Sequence, residues 1–377
     1  MYELKNLVIF VIIWTILRGA CLRILLEIKI RDMKRFFLTF VAAVSICASM
    51  VGCKAFDQLS SGNTSTGTPY ELVLVCGQAE WQSELGDTLR AVLKQPVAEI
   101  VQYEPMFDVL RILPNNFKSL TKNHRNIVTV VVDPSVSTPE INVKYDVTAK
   151  PQVYVTIKGP DKATLASYVA ENKENLLYVL EKAERDRTII YARNYYSRGL
   201  NELILQDFGV DMFIPDSYKL RTVSDNMVWI SQEYPTASKG FFLYKYPYTG
   251  SQSLSASELI KARNRFAERI PGPADGSYMT TVKEIADEAG EEYVPFKPDY
   301  RTIRIGERPW IEMAGLWEVE GYFMGGPFVS YTTVNQKTKE VITLDCYVYS
   351  PDKEKRNMLR ELQHLVYLMD IPTPSAE

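Results

Sequence analysis

Histidine is nearly absent from this 377-residue chain, which holds two, His124 and His364. Neither has a Cys or His companion at metal-ligand spacing. A His-based zinc site or a Ser-His-Asp triad would have to use one of them, and no G-x-S-x-G elbow occurs. His124 sits in the polar stretch "TKNHRN" and His364 lies beside Gln363, off the apolar stripe of the last helix, so both are expected at the solvated surface. Cysteine is scarce too: five in all, with only Cys76 and Cys346 after Cys53. Each lies in an apolar strand-like run, and the two fall in different expected domains, so buried free thiols are favoured over a disulfide. A long apolar run is also missing. Leu7–Leu17 is apolar for 11 residues between Lys5 and Arg18, short of the ~20 that a spanning helix needs. Basic excess is lacking as well. Residues 1–52 hold seven of the Lys/Arg and three of the Asp/Glu, which leaves a net charge of −7 on residues 53–377. That balance argues against nucleic acid and against a basic grip on anionic head groups.

What is present begins with an address. Lys34 and Arg35 precede an apolar stretch of 13 residues, Phe36 to Ala48, and then small residues up to Cys53. This is the layout of an export signal. Ser49-Met50-Val51-Gly52-Cys53 resembles a lipobox, whose cysteine receives diacylglycerol and becomes the first residue; Met50 stands where Leu is usual. The plainer alternative is an ordinary cleaved signal with a chance cysteine. Residues 1–32 read as an over-extended start or a short apolar segment, residues 33–52 as the lipoprotein signal peptide, and residues 53–69 as lipidated Cys53 with a flexible tether. Ser, Thr and Gly dominate that tether from Ser60, and such a coil reaches ~20–25 Å. One acyl chain holds a membrane only marginally, whereas a lipoprotein cysteine carries two or three. The expected location is the cell envelope, with the anchor in the outer membrane and the body facing the periplasm, because "KAFD" after Cys53 offers one acid, too few for a surface-export signal.

Two bodies follow, 70–195 and 196–377. In the first, "YELVLVC", "EIVQYEP", "FDVLRIL", "NIVTVVVD" and "QVYVTIKG" read as strands. Leu85, Leu89, Val92 and Leu93 mark an amphipathic helix over about 80–94. A single long helix opens at Pro160-Asp161 and ends near Asn194. The expected architecture is one sheet against two helices. In the second body a short helix over 199–208 precedes two strands turning at Ser224-Asp225-Asn226, then "GFFLYKYPYT", a helix over 255–269 and a Gly/Pro loop. Long antiparallel strands come next, with Gly325-Gly326-Pro327 read as a tight turn. A final helix starts at Ser350-Pro351.

Three constellations bear on chemistry. Ser119-Leu120-Thr121-Lys122, Ser224-Asp225-Asn226 and Lys337-Thr338-Lys339 mimic the order of penicillin-interacting serine enzymes. The first is a polar stretch, the second a hairpin turn, and the third lacks its glycine, so the mimicry is set aside. Glu312, Glu318 and Glu320 alternate along one strand, with Glu318 and Glu320 about 6.5–7 Å apart. Paired acids can hydrolyse glycosides, but Ile311, Met313, Trp317 and Val319 on the other face fit an ordinary half-buried strand. Lastly, Phe242, Tyr244, Tyr246 and Tyr248 share a strand face. Tyrosine suits peptide- or sugar-binding surfaces, although cover by the protein's own helix or loop is the readier explanation of such a row.

"PYELVLVC", "NHRNIV", "PGPADGSYMTT" and "GLWEVEGYFMGGPFVSY" resemble an uncharacterised bacterial lipoprotein family of Bacteroidetes, domain of unknown function 4837, over roughly residues 69–370. The resemblance implies a two-part envelope lipoprotein and supplies no activity, cofactor or catalytic residue. The fold expected is α+β: two α/β sandwich domains, the second a PsbP-like antiparallel sheet packed by helices, a fold-level analogy that leaves function open. The function expected is a lipid-anchored, non-catalytic envelope protein that binds another envelope macromolecule, a protein or a glycan. Its binding patch is placed on Tyr244, Tyr246, Tyr248, Tyr278, Trp317, Tyr322 and Phe328, with no cofactor, metal or nucleic acid. The alternative is an envelope hydrolase using Glu318 and Glu320.

Overall fold

The computed structural model describes residues 63–287 and 290–372. The expected start segment, the signal and Cys53 with most of its tether lie outside these residues. Apolar β1 (Glu71–Val75) leads into α1 (Glu84–Leu93), which buries Leu85, Leu89, Val92 and Leu93 as their helical spacing requires. β2 (Asp108–Ile112), β3 (Asn126–Val132), β4 (Glu140–Tyr145) and β5 (Val153–Gly159) complete a five-stranded sheet in the order β2-β1-β3-β5-β4. Its first four members in that order run parallel, and β4 lies antiparallel at the edge. "EIVQYEP" is not a strand; it belongs to the irregular connection that brings the chain back to start β2 beside β1.

The expected single helix is two, α2 (Lys162–Glu171) and α3 (Lys173–Asn194). The Asp161 carboxylate accepts the Thr164 N–H at 2.8 Å and caps the first. Asn172 closes it by donating its side-chain amide to the Tyr168 carbonyl, with φ −103° and ψ 16°. Buried Glu184 then pins α3 to the sheet, accepting from Arg125 and from the Asn126 amide, both at 2.6 Å.

After α4 (Arg198–Phe208) the chain builds an eight-stranded antiparallel sheet. Its members are β6 (Lys219–Ser224), β7 (Met227–Glu233), β8 (Ser238–Pro247), β9 (Tyr278–Thr281), β10 (Asp299–Ile305), β11 (Arg308–Glu320), β12 (Tyr322–Asn335) and β13 (Glu340–Tyr349). The order is β9-β11-β12-β13-β8-β7-β6, and β10 pairs with the first half of long β11. Two helices complete this half, α5 (Ala256–Ala267) between β8 and β9, and α6 (Arg356–His364) after β13. The period-2 alternation of the strands sorts the side chains. Phe242, Tyr244, Met313, Trp317 and Phe328 form one core with Leu259 and Phe266 of α5. Phe241, Leu243, Val329, Leu344 and Cys346 join Leu359 and Leu362 of α6 in another. That second core continues without a break into Leu72, Leu74, Leu89 and Leu180 of the first half, and Ser65–Glu377 form one compact unit. The fold is thus mixed α+β.

One turn and one helix start are corrected. Gly325 and Gly326 lie inside β12, not in a turn. A Cβ at Gly326 would stand 2.1 Å from the Val348 carbonyl oxygen, so glycine there permits close strand approach. The reversal falls instead at Gly321, where φ is +82°. The last helix starts at Arg356 rather than at Ser350, because a carboxylate from far upstream, that of Glu104, caps its end.

One ion pair holds α5 on the sheet. Arg263 and Asp345 are fully buried. Arg263 donates Nε to Oδ2 at 2.9 Å, Nη2 to Oδ1 at 3.3 Å and Nη1 to Thr281 Oγ1 at 2.9 Å. Its guanidinium also lies 3.6 Å from the centre of the Phe328 ring. Removing one partner strands the other charge in a dry core. Arg263→Met should lower the urea unfolding free energy by about 3–5 kcal/mol, and the double change Arg263→Met with Asp345→Leu should recover most of it. Equal losses in the single and double variants would show that the pair itself is not what matters.

Candidate functional site

The aromatic patch read from the sequence does not form one continuous surface, because three of its seven residues are buried. Tyr244 and Trp317 are 1% exposed and Phe328 is 0%. Tyr244 stacks on Phe266 with ring centres 4.4 Å apart, and the Trp317 indole donates to the Val348 carbonyl at 3.2 Å. α5 covers this face, so its rings are core. Tyr246, Tyr248 and Tyr278 are half-buried. What remains outside is the hairpin tip. Glu318 pairs with Gly325 but Val319 pairs with Tyr322, so β12 carries two extra residues, Phe323 and Met324. Such a bulge turns side chains off the sheet. Phe323 is fully exposed at 103% and Tyr322 is half exposed.

The acids divide. Glu318 is half-buried and Glu320 exposed, and each pairs across to β9, opposite Thr280 and Tyr278. Burial, and then the charge of Glu320, push the Glu318 carboxyl upward. Glu312, expected on a solvated or salt-bridged face, is buried and salt-bridged to Arg301. The face it shares with Ala314 looks into the first half of the unit rather than into water, and Arg301 donates to its Oε1 at 2.7 Å. The serine-enzyme mimics lie on separate elements: a four-residue helix at Ser119–Lys122, the β6–β7 turn and the β12–β13 turn. Cys76 and Cys346 are both buried and free. Among the described residues no group of His, Cys, Asp and Glu could hold a metal, and no helix is long and apolar enough to cross a membrane.

Sequence reasoning missed a charged cleft where α6, α3, β10, β11 and the α1–β2 connection meet. Arg360 of α6 donates to the Gln363 side chain at 3.0 Å, and reaches Glu99 Oε1 at 3.5 Å and Glu181 Oε1 at 3.7 Å. Burial alone would lower the Arg360 value, but Glu99 and Glu181 outweigh it and hold the guanidinium up. Glu99 Oε2 and Arg360 Nε are buried with no hydrogen-bond partner. Two adjoining cavities of about 270 and 160 Å³ share Glu99, Arg301 and Glu312 in their walls. Arg360 thus meets its two carboxylates only at long range, whereas Arg301 and Glu312 are in direct contact. In sequence the sole signal was the i,i+4 spacing of Arg356, Arg360 and His364.

The histidine expectation is reversed. Both side chains are buried. His124 Nδ1 lies 3.1 Å from the Asn126 carbonyl, and its Nε2 is 3.4 Å from Glu71. His364 is held between Tyr70 Oη at 3.3 Å and Thr188 Oγ1 at 3.0 Å. It reads as polar in sequence, yet α6 turns it toward the first half of the unit.

A mixed α+β body with a charged cleft is the class so defined. Residues 197–367 match the family model described as Domain of unknown function (DUF4837). Residues 65–192 match a different model, Domain of unknown function (DUF8532), so the first of these families spans less of the chain than the motif resemblance implied. Among solved structures the chain is similar to a mutant of the protein Mog1, at 10% identity over 44% of this chain and 92% of that one, with a TM-score of 0.25. No curated protein matches.

Burial, with help from Arg360 and Arg185, depresses the His364 imidazole from its usual range to about 3. The unfolded chain therefore takes up a proton below about pH 6.5 that the folded chain refuses. Stability falls as pH drops from there toward about 3, by up to about 1.4 kcal/mol per pH unit. His364→Gln should flatten that acid limb in denaturant titrations while leaving stability near pH 8 within about 1 kcal/mol. An unchanged acid limb would assign it to other groups.

Proposed function

We propose that this is a lipid-anchored, non-catalytic protein of the bacterial cell envelope that binds another envelope macromolecule. The anchor is Cys53 at the end of the lipobox-like segment, and the body faces the periplasm on its tether. The observation that carries the binding half of this reading is Phe323. A fully exposed phenylalanine on a bulged hairpin, next to half-exposed Tyr322, has no folding role that rewards its exposure. Large exposed aromatics are the residues that dominate binding energy at protein interfaces. Both histidines are buried and engaged by neighbours, which leaves them poorly placed for acid–base work. For the second half we propose a PsbP-like α/β/α sandwich, a reading supported by an antiparallel sheet with α5 on one face and α6 on the other.

A second reading, hydrolysis through Glu318 and Glu320, has one observation in its favour: the Glu318 carboxyl is pushed up, the direction a general acid needs. Changing both to Gln would abolish turnover of an envelope polymer under that reading and leave partner binding intact under the first.

Cross-linking of tagged, lipidated protein in solubilised envelopes, with mass spectrometry of what is captured, tests the leading reading. A single near-stoichiometric partner is expected, with yield falling about tenfold or more for Tyr322→Ser with Phe323→Ser at unchanged melting temperature. Equal capture by that variant would remove the hairpin from the interface.

A further inference from the structure

We infer that the cleft beside Glu99 is a binding site for a small aliphatic ammonium group. The larger cavity, about 270 Å³, has three carboxylates in its wall, Glu99, Asp299 and Glu312, against one guanidinium, Arg301. Arg301 is already committed: it donates to Glu312 at 2.7 Å, and its side chain is otherwise two-thirds exposed. Glu99 is satisfied on one oxygen only. Its side chain is 8% exposed, its Oε1 accepts from Arg360 at 3.5 Å and from Gln363 Nε2 at 3.4 Å, and its Oε2 has no hydrogen-bond partner. A buried carboxylate oxygen without a donor is costly, and a ligand that supplies one recovers the loss on binding.

The chemistry of the wall selects the ligand. The carboxylate surplus disfavours an anion. The residues present do not make a metal cage, since no such group exists among the described residues. An ammonium brings three donors and a compact charge, and can donate to Glu99 while Arg301 stays on Glu312. Ala98 and Ala314 supply short apolar walls for a methylene chain. The volume falls below the ~300–1,000 Å³ of drug-sized pockets, and suits an unbranched amine rather than a sugar chain. The inference is independent of the hairpin and of the anchor.

Titration calorimetry of the intact folded protein with 1,5-diaminopentane is the test, with 1,5-pentanediol and glutarate as neutral and anionic controls of the same length. Saturable binding of the diamine alone is expected, weakened about tenfold or more by Glu99→Gln and by Asp299→Asn. Asp299 is exposed on β10, so its variant keeps the experiment decisive if Glu99→Gln fails to fold. Nα-acetyl-lysine amide separates the sources: binding as tight as the diamine assigns the site to an amine side chain of a larger molecule, and weaker binding assigns it to a free diamine. Absence of saturable diamine binding, equal binding of the diol, or affinities unchanged in both variants would each overturn the site.

Discussion

The carboxylate of Glu104 sits at the start of α6, accepting the Lys355 N–H at 2.9 and 2.8 Å and the Arg356 N–H at 2.7 Å. The first N–H groups of any helix need acceptors from outside its own ladder, and a negative group there is favoured by the helix dipole. Most helices find that acceptor one to three residues upstream. Here it comes from 251 residues away, from the connection between α1 and β2. Arg356 strengthens the joint by donating to the Pro105 carbonyl at 2.6 Å and to Asp108.

Everything along that face of α6 follows from the joint. Arg360, one turn on, is brought against Glu99 and Glu181; His364, a further turn on, meets Tyr70 and Thr188. Residues at i, i+4 and i+8 share a helix face, and this one is polar throughout and buried against the first half of the unit. The adjoining face, with Leu359 and Leu362, packs on the eight-stranded sheet. α6 is therefore the common wall of both halves. The charged cleft exists because a helix of the second half has its end seated in a loop of the first, with β10 and β11 closing the other side.

Local rules made much of the fold legible. The runs 126–133 and 152–159 carried their β-branched pattern into β3 and β5, and the Leu85–Leu93 spacing carried into α1. The Asp161 cap stood where it was read, although Asn172 divides the following helix with a side-chain hydrogen bond that periodicity does not register. What failed was long-range. Ser350 looked like the start of α6 because the Glu104 acceptor is invisible to local sequence. Gly325-Gly326-Pro327 looked like a turn because glycine serves close strand approach as readily as reversal. The alternation through Phe242, Tyr244 and Tyr246 was a true strand signal, but it cannot say that α5 lies on top. His364 failed because it is a polar residue on a face that meets the other half of the unit instead of water. Glu312, read as solvated or salt-bridged, lies on such a face too and is the salt-bridged case.

The account rests on α6 and the α1–β2 connection holding one another in place. Hydrogen exchange by mass spectrometry, comparing the wild-type chain with Glu104→Ala, tests this directly. Loss of protection should appear together in peptides spanning 355–364 and 95–107, while the far edge of the eight-stranded sheet, β6 and β7, keeps its wild-type exchange. Protection lost in the connection with α6 unchanged would contradict the account, because the helix would then be held by the sheet alone.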